Sequence, residues 1–257
     1  MQITLDKKIQ TSSRLFLLDG VRGFALVNMI LYHTLYDVVY IFGHPIGWYQ
    51  SQIGYLWQQS ICWCFILLSG FCFSLGKRPI RRGGLIFIMG CAVSLVTAIA
   101  MPEQRVRFGI LSLIGCSMIL TGLCSNLLGK INPFVGLGLS FGVFLLTKTV
   151  PIGAIGFADT PILSLPKMLY QTGWLYPLGF PRWDFFSSDY FSIIPWLFLY
   201  WTGYFIAKAV GDCQRFDCLK HSIPVLGWIG KHSLWIYLVH QPVVYAVLIL
   251  LHQFKLV

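Results

Sequence analysis

The hydrophobic positions of this chain fall into long runs, broken by short polar stretches. Apolar runs cover residues 15–42, 54–76, 84–101, 108–129, 131–148, 190–210 and 232–252. Most reach or approach the ~20 residues that a helix needs to cross ~30 Å of hydrocarbon. No run alternates apolar and polar residues with period two, which argues against a membrane β-barrel. The pattern predicts an all-α, polytopic transmembrane helical bundle of about seven spans. It forms a single membrane domain over residues 1–257, with no linker or low-complexity tract.

One segment breaks the pattern. Residues 149–189 hold Pro151, Pro161, Pro166, Pro177 and Pro181 together with Trp174, Tyr176 and Trp183. The segment is too broken for a span and too aromatic to float in water. Aromatic rings prefer the membrane–water interface, so an interfacial cap on the outer face is expected. As a cap it would gate a membrane cavity. A plain connector is the equal alternative.

Composition agrees with the runs. The chain is 56% hydrophobic and 11% charged, against about 25% charged in a soluble domain. The net charge of +10 would suit nucleic acid, but its distribution excludes that reading. With the N-terminus in the cytoplasm and seven crossings, the inner segments hold Lys7, Lys8, Arg14, Lys77, Arg78, Arg81, Arg82, Lys130, Lys208, Arg215, Lys220 and Lys231. The outer segments hold Arg105, Arg107, Lys148, Lys167, Arg182 and Lys255. This two-to-one bias is the positive-inside rule, and it predicts N-inside and C-outside. The first run is too long for a signal peptide, lacks a small-residue cleavage site and carries Asp19, Arg22 and His33.

The eight cysteines follow no ligand spacing. Those in the apolar runs read as small apolar residues, and Cys213 and Cys218 fall in an inner loop where thiols stay reduced. Cys62 and Cys64 diverge by about 200° on a helix, so no metal site is expected.

The candidate chemistry lies in the first run, in Leu18-Asp19-Gly20-Val21-Arg22-Gly23 continuing to Tyr32-His33. An ionisable group at mid-bilayer costs about 2.5–3.5 kcal/mol on translocon scales. Arg22 and His33 are eleven residues apart, which leaves only about 20° of offset and roughly 16 Å of rise. Asp19 and Arg22 neighbour each other at i,i+3. All three therefore share one stripe that must face protein or a wet cavity. A structural reading makes Asp19–Arg22 a helix-entry ion pair and His33 an interhelical hydrogen-bonding group. A functional reading makes the stripe a tunnel, with an anion site at its inner end and a titratable base towards its middle.

At these residues the sequence resembles a known family. Leu18-Asp19-Gly20-Val21-Arg22-Gly23-Phe24-Ala25 with His33 is similar to the opening helix of the acyltransferase-three membrane enzymes. Arg107-Phe108-Gly109-Ile110-Leu111-Ser112-Leu113-Ile114-Gly115, Asp189-Tyr190-Phe191-Ser192-Ile193-Ile194-Pro195-Trp196 and Gly203-Tyr204 resemble the related heparan-α-glucosaminide N-acetyltransferase catalytic-domain family. The stretch from Ile229 to Pro242 resembles the closing helix of both groups. The resemblance implies transfer of an acetyl or other short acyl group from cytoplasmic acyl-CoA, with acetyl-CoA the expected donor. The acceptor would be a hydroxyl or amine of an extracytoplasmic sugar or glycan. His33 would be the catalytic histidine and Arg22 its partner, with Asp19 beside it and Arg22 also meeting the donor. Family members often carry a histidine where this chain has Ser112.

Ser112, Asp189 and His240 are weaker substrate-site candidates. A packing role for His240 and a helix-capping role for Asp189 are the competing readings. Pro242 removes a backbone donor after His240 and predicts a kink. His44 reads as a solvated loop residue, and Gly109, Gly115 and Gly122 as packing contacts, because no strand precedes them as a phosphate loop requires. The rival functions are a transporter or export partner for a glycan or lipid, and a non-catalytic member of the family. The expected surroundings are the bilayer and a bacterial plasma membrane, and a homo-oligomer is compatible with them.

Overall fold

The structure is a computed structural model that describes residues 16–211 and 223–254. Lys7, Lys8, Arg14, Cys213, Arg215, Cys218, Lys220 and Lys255 lie outside the described residues. Helices dominate: α1 Phe16–Tyr36, α2 Gln52–Phe71, α3 Pro79–Ala100, α4 Ile110–Leu123, α5 Ser125–Lys130, α6 Pro133–Thr147, α7 Ile193–Val210, α8 Pro224–Lys231 and α9 Ser233–Gln253. A short π-helical turn, Asp37–Ile41, extends α1. Among the described residues, five helical stretches are long and apolar enough to cross a membrane: Phe16–Ile41, Pro79–Ala100, Pro133–Ile152, Ile193–Val210 and Ser233–Gln253. Five of the seven expected runs thus meet that measure of length and composition. The predicted run 54–76 forms the 20-residue α2, which carries Gln52, Gln58 and Gln59. The run 108–129 breaks at Cys124 into the 14-residue α4 and the six-residue α5.

The chain groups into two compact units, whose boundary falls inside α2 between Cys62 and Trp63. The first contains α1, the start of α2, α8 and α9. Its helices meet through glycine. A Cβ on Gly23 would stand 2.0 Å from the Leu226 carbonyl oxygen, and one on Gly230 would stand 1.8 Å from that of Asp19. Neither position tolerates a side chain, so α1 and α8 cross backbone against backbone. From α8 the chain turns at His232 into α9, which lies alongside α1. His33 faces His240, Asp37 faces Gln241 and Phe42 faces Tyr245. Both numbers rise together, so α1 and α9 run parallel. One helix, α9, continues through Pro242.

The second unit contains the rest of α2 with α3 to α7. Its contacts also rely on small residues: Gly70 against Tyr200, Gly203 against Leu67, Gly83 and Gly115 against each other's helix, and Gly90 against Ser112. The expected packing role of Gly115 and Gly122 holds, with Gly122 seated on Ile80. In lipid the hydrophobic effect does not pull helices together, and close approach at small residues is the main substitute. Leu85, Ile88, Leu95, Val96 and Ile99 leave one side of α3 exposed, as a lipid-facing surface requires. Lys208 in the last turn of α7 donates to the carbonyls of Leu128, Gly129 and Ile131, closing the end of α5.

The segment 149–189 is neither span nor plain coil. It forms an antiparallel hairpin, β1 Ala154–Phe157 with β2 Thr160–Ser164, followed by short 3-10 turns. A cavity of about 710 Å³ opens among Pro151, Lys167, Tyr170, Gln171, Arg182 and Trp183. Trp174 and Trp183 are 87% and 92% exposed, which fits rings placed for an interface.

The glycine crossing makes a paired prediction. Gly230→Ala forces a methyl into the Asp19 carbonyl and is expected to cost roughly 1–3 kcal/mol, the range for overpacking. Gly227→Ala on the same helix meets nothing within 4 Å and gains helix propensity, about 1 kcal/mol. Thermal unfolding in detergent should show a lowered midpoint for the first variant and no loss for the second.

Candidate functional site

The polar stripe of α1 is present as one continuous helical face. Asp19 is buried, and its Oδ1 accepts a hydrogen bond from Arg22 Nη1 at 2.8 Å. Three turns further on, the His33 ring lies half-buried, with its centroid 5.2 Å from that of His240 on α9. His33 and His240 thus lie beside each other within this unit.

Two residues that the sequence reading passed over complete the cluster. Asp37 is fully buried, with 0% exposure. It opens the π turn, which closes when the Phe42 N–H donates to the Asp37 carbonyl oxygen at 3.0 Å. Such single π turns inside helices recur at functional sites. Both carboxylate oxygens of Asp37 accept from Gln241 Nε2, at 2.9 and 3.0 Å. This pairing sets the direction of the Gln241 amide, because the reverse orientation would press its carbonyl oxygen against a carboxylate. Gln241 Oε1 is buried with no hydrogen-bond partner among the described residues.

His240 is oriented in the same way. Its Nδ1 lies 2.6 Å from the Tyr237 carbonyl oxygen. A carbonyl oxygen only accepts, so Nδ1 carries the hydrogen. In the neutral ring Nε2 then holds a lone pair, and this atom too is buried without a partner among the described residues. An aromatic wall steadies α1 beside the cluster. The Trp57 indole N–H donates to Asn28 Oδ1 at 3.1 Å, the Tyr32 ring meets Trp57 edge-on at 5.4 Å, and the Tyr49 hydroxyl donates to the Tyr32 carbonyl at 3.1 Å. The arrangement offers two imidazoles, one of them with a fixed tautomer, and an oriented amide carbonyl. His44 is exposed, as expected of a loop residue.

Ser112 and Asp189 belong to the second unit. Ser112 is buried against Gly90, where a glycine Cβ would stand 2.5 Å from the Ser112 hydroxyl. The contact explains why a small residue occupies this position. Asp189 does cap a helix, but not the one that follows it. Its Oδ2 accepts from the Ile110 N–H at 3.2 Å, at the start of α4, and Gly109 leaves room for it. Around this bond the segments 104–110 and 187–191 join. Arg107 N–H donates to Ser187 Oγ, Ser188 N–H to the Arg105 carbonyl and Phe191 N–H to the Phe108 carbonyl. Phe108 adopts φ +55° within this joint, a conformation rare for a bulky residue.

The fold and the cluster define a helical membrane protein that holds imidazole, amide and carboxylate groups together between its first and last described helices. Compared with known protein families, residues 14–242 match heparan-alpha-glucosaminide N-acetyltransferase, catalytic. The chain belongs to that family, one of membrane-bound acetyltransferases. No curated protein and no solved structure gives a match.

Asp189 generates a stability prediction. Burial pushes its carboxyl up to about 6, against the opposing pull of the Ile110 N–H, from about 4 in an unfolded chain. A carboxyl raised on folding favours the fold while protonated. Its contribution is complete below about pH 4 and is lost as pH rises through about 6. Asp189→Asn keeps an accepting oxygen and cannot ionise, so its melting midpoint should change less between pH 4.5 and 7 than the wild type's. Asp189→Ala removes the cap and should cost about 1 kcal/mol.

Proposed function

We propose that this chain transfers an acetyl group from acetyl-CoA, held at the cytoplasmic end of α1, to an amine or hydroxyl of a sugar that enters from the other side. The observation that carries this reading is the cluster of His33, His240, Gln241 and Asp37 on membrane helices. Polar groups there are expensive and are kept chiefly for function, and membership of an acetyltransferase family supplies the reaction class.

The chemistry follows from the groups. A neutral imidazole is suited to take a proton from the acceptor N–H or O–H. The acceptor nitrogen or oxygen then attacks the thioester carbonyl, the carbon–sulfur bond breaks, and coenzyme A leaves as a thiolate. The thiolate takes the proton back from the imidazolium, so the products are the acetylated acceptor and the free thiol. His33 is the base in this scheme. Arg22, steadied by Asp19, presents a planar fork suited to the donor's phosphates. Ser112 and Asp189 have structural partners that account for them and take no step.

Orientation rests on charge. At one end of the second unit stand Lys77, Arg78, Arg81, Arg82, Lys130 and Lys208, with no carboxylate among the described residues. At the other stand Arg105, Arg107, Lys148, Lys167 and Arg182 beside Glu103, Asp159, Asp184 and Asp189. The first, cationic end faces the cytoplasm in this reading, as the positive-inside rule requires. The parallel course of α1 and α9 supports an odd number of crossings, with the N-terminus inside and the C-terminus outside. In a background without native cysteines, Asp159→Cys should react with an impermeant maleimide on intact cells and Gly129→Cys should not. The opposite pattern overturns the orientation.

His33 is the decisive test of the enzyme. His33→Ala and His33→Gln should each lower acetyl transfer by about 10²–10⁴, the usual contribution of a general base, while both proteins stay folded in detergent. A stable His33→Gln protein with wild-type turnover removes His33 from the mechanism. Consumption of acetyl-CoA in step with acceptor modified separates an enzyme from a transporter. Arg22→Lys should weaken acetyl-CoA binding, because an ammonium lacks the planar fork; unchanged affinity would leave Arg22 a purely structural role.

A further inference from the structure

Two hydrogen-bond acceptors in the cluster are buried, oriented and without a donor among the described residues. These are Gln241 Oε1 and His240 Nε2. Each is aimed by a separate bond. The Asp37 carboxylate holds both its oxygens to the Gln241 Nε2, and the Tyr237 carbonyl holds His240 Nδ1. The residues are adjacent in sequence, and the His240 ring lies 5.2 Å from that of His33. A buried carbonyl left without a donor is destabilising. The arrangement is therefore unsatisfied among the described residues and complementary to something that brings hydrogen atoms.

From this we infer that Gln241 and His240, with Asp37 as the positioning residue behind Gln241, form the acceptor subsite. The subsite selects molecules that present at least two neighbouring O–H or N–H donors. The inference rests on the proposed acetyl transfer and adds to it which acceptors are chosen. One donor satisfies Gln241 Oε1 and another satisfies His240 Nε2. A sugar with an amine flanked by hydroxyls qualifies. A lone amine on a hydrocarbon ring leaves one acceptor unsatisfied, and a carboxylate or phosphate meets only lone pairs. Sites built to bind a hydroxyl by hydrogen bonds reject analogues lacking it much more strongly than apolar pockets reject a missing methylene. Asp37 acts through Gln241. Without its charge the amide is free to turn over, and the site then presents N–H where it had presented C=O.

The experiment compares glucosamine with cyclohexylamine as acceptors at saturating acetyl-CoA, using the purified full-length protein in detergent. Wild type should prefer glucosamine by at least about 10² in kcat/KM. Gln241→Met keeps the length of the side chain and removes the amide, and Asp37→Asn removes the orienting charge. Each should shrink that preference at least tenfold. Gln241→Glu should shrink it as well, because the second carboxyl shares a proton with Asp37 and no longer presents a fixed carbonyl. Should Asp37→Asn fail to fold, the two Gln241 variants decide. An unchanged preference in folded Gln241→Met overturns the inference and leaves the acetyl-transfer reading standing, with the two atoms merely hydrated. If wild type acetylates neither compound, that reading falls, and the subsite is judged by binding alone. Glucosamine should then raise the melting midpoint of wild type and not of Gln241→Met. An equal shift, or none in either, overturns it.

Discussion

The close crossing of α1 and α8 at Gly23 and Gly230 is the constraint on which the first unit depends. Each glycine lies against the other helix's backbone, where any side chain would collide with a carbonyl oxygen. Lipid gives apolar helices no reason to associate, so the contact must be made by surfaces that fit closely. The crossing has a consequence beyond its own contact. Only the turn at His232 separates α8 from α9. Docking α8 on the first half of α1 therefore directs α9 along the second half, which carries His33 and Asp37. The meeting of His33 with His240 and of Asp37 with Gln241 follows from glycines on the preceding helix.

The polar cluster that results obeys a stricter rule than it would in water. A carboxylate inside a membrane helix is tolerated when it is paired with hydrogen-bond donors. Asp37 has such a pair in the two contacts from Gln241 Nε2. The π turn that begins at Asp37 alters the helical register just beyond His33, and a local change of this kind is often retained where it re-aims a functional group. The bond that satisfies Asp37 leaves the other end of the Gln241 amide without a partner among the described residues. Satisfying a buried charge and presenting an acceptor to a ligand are here two ends of one side chain.

Much of this was legible in the sequence. The stripe of Asp19, Arg22 and His33 followed from helical period alone, and an uninterrupted α1 preserves it. His240 was visible as a histidine in an apolar run, though its tautomer depends on the Tyr237 carbonyl, which no spacing rule reveals. Asp37 was within reach of the same reasoning. It follows His33 by four residues, which keeps it within about 40° of the stripe on a helix. Gln241 carried no signal of its own, since a glutamine next to a histidine is unremarkable until its partner is known. Asp189 shows the complementary failure. A carboxylate just before a helix reads as that helix's cap, yet it serves α4, whose first residue lies 79 positions earlier.

The shortfall in spans has a physical cause of the same kind. Apolarity along a sequence records the absence of water, and lipid is one of two ways to exclude water. In α4, Ile110 to Gly115, Ser117, Met118 and Thr121 are buried in protein. Its apolar run thus answers to neighbours on α3 and α7 as well as to any bilayer. At 14 residues it rises only about 21 Å, yet its start joins Asp189 and its end leads to the carbonyls that Lys208 closes. It connects the two ends of its unit while its backbone termini are satisfied by protein groups. A helix surrounded in this way need not match the hydrocarbon thickness, because its polar ends are never offered to lipid. Length rules derived for lipid-facing helices undercount such an element, and composition rules overextend it, as the predicted run 108–129 did by reading through the break at Cys124.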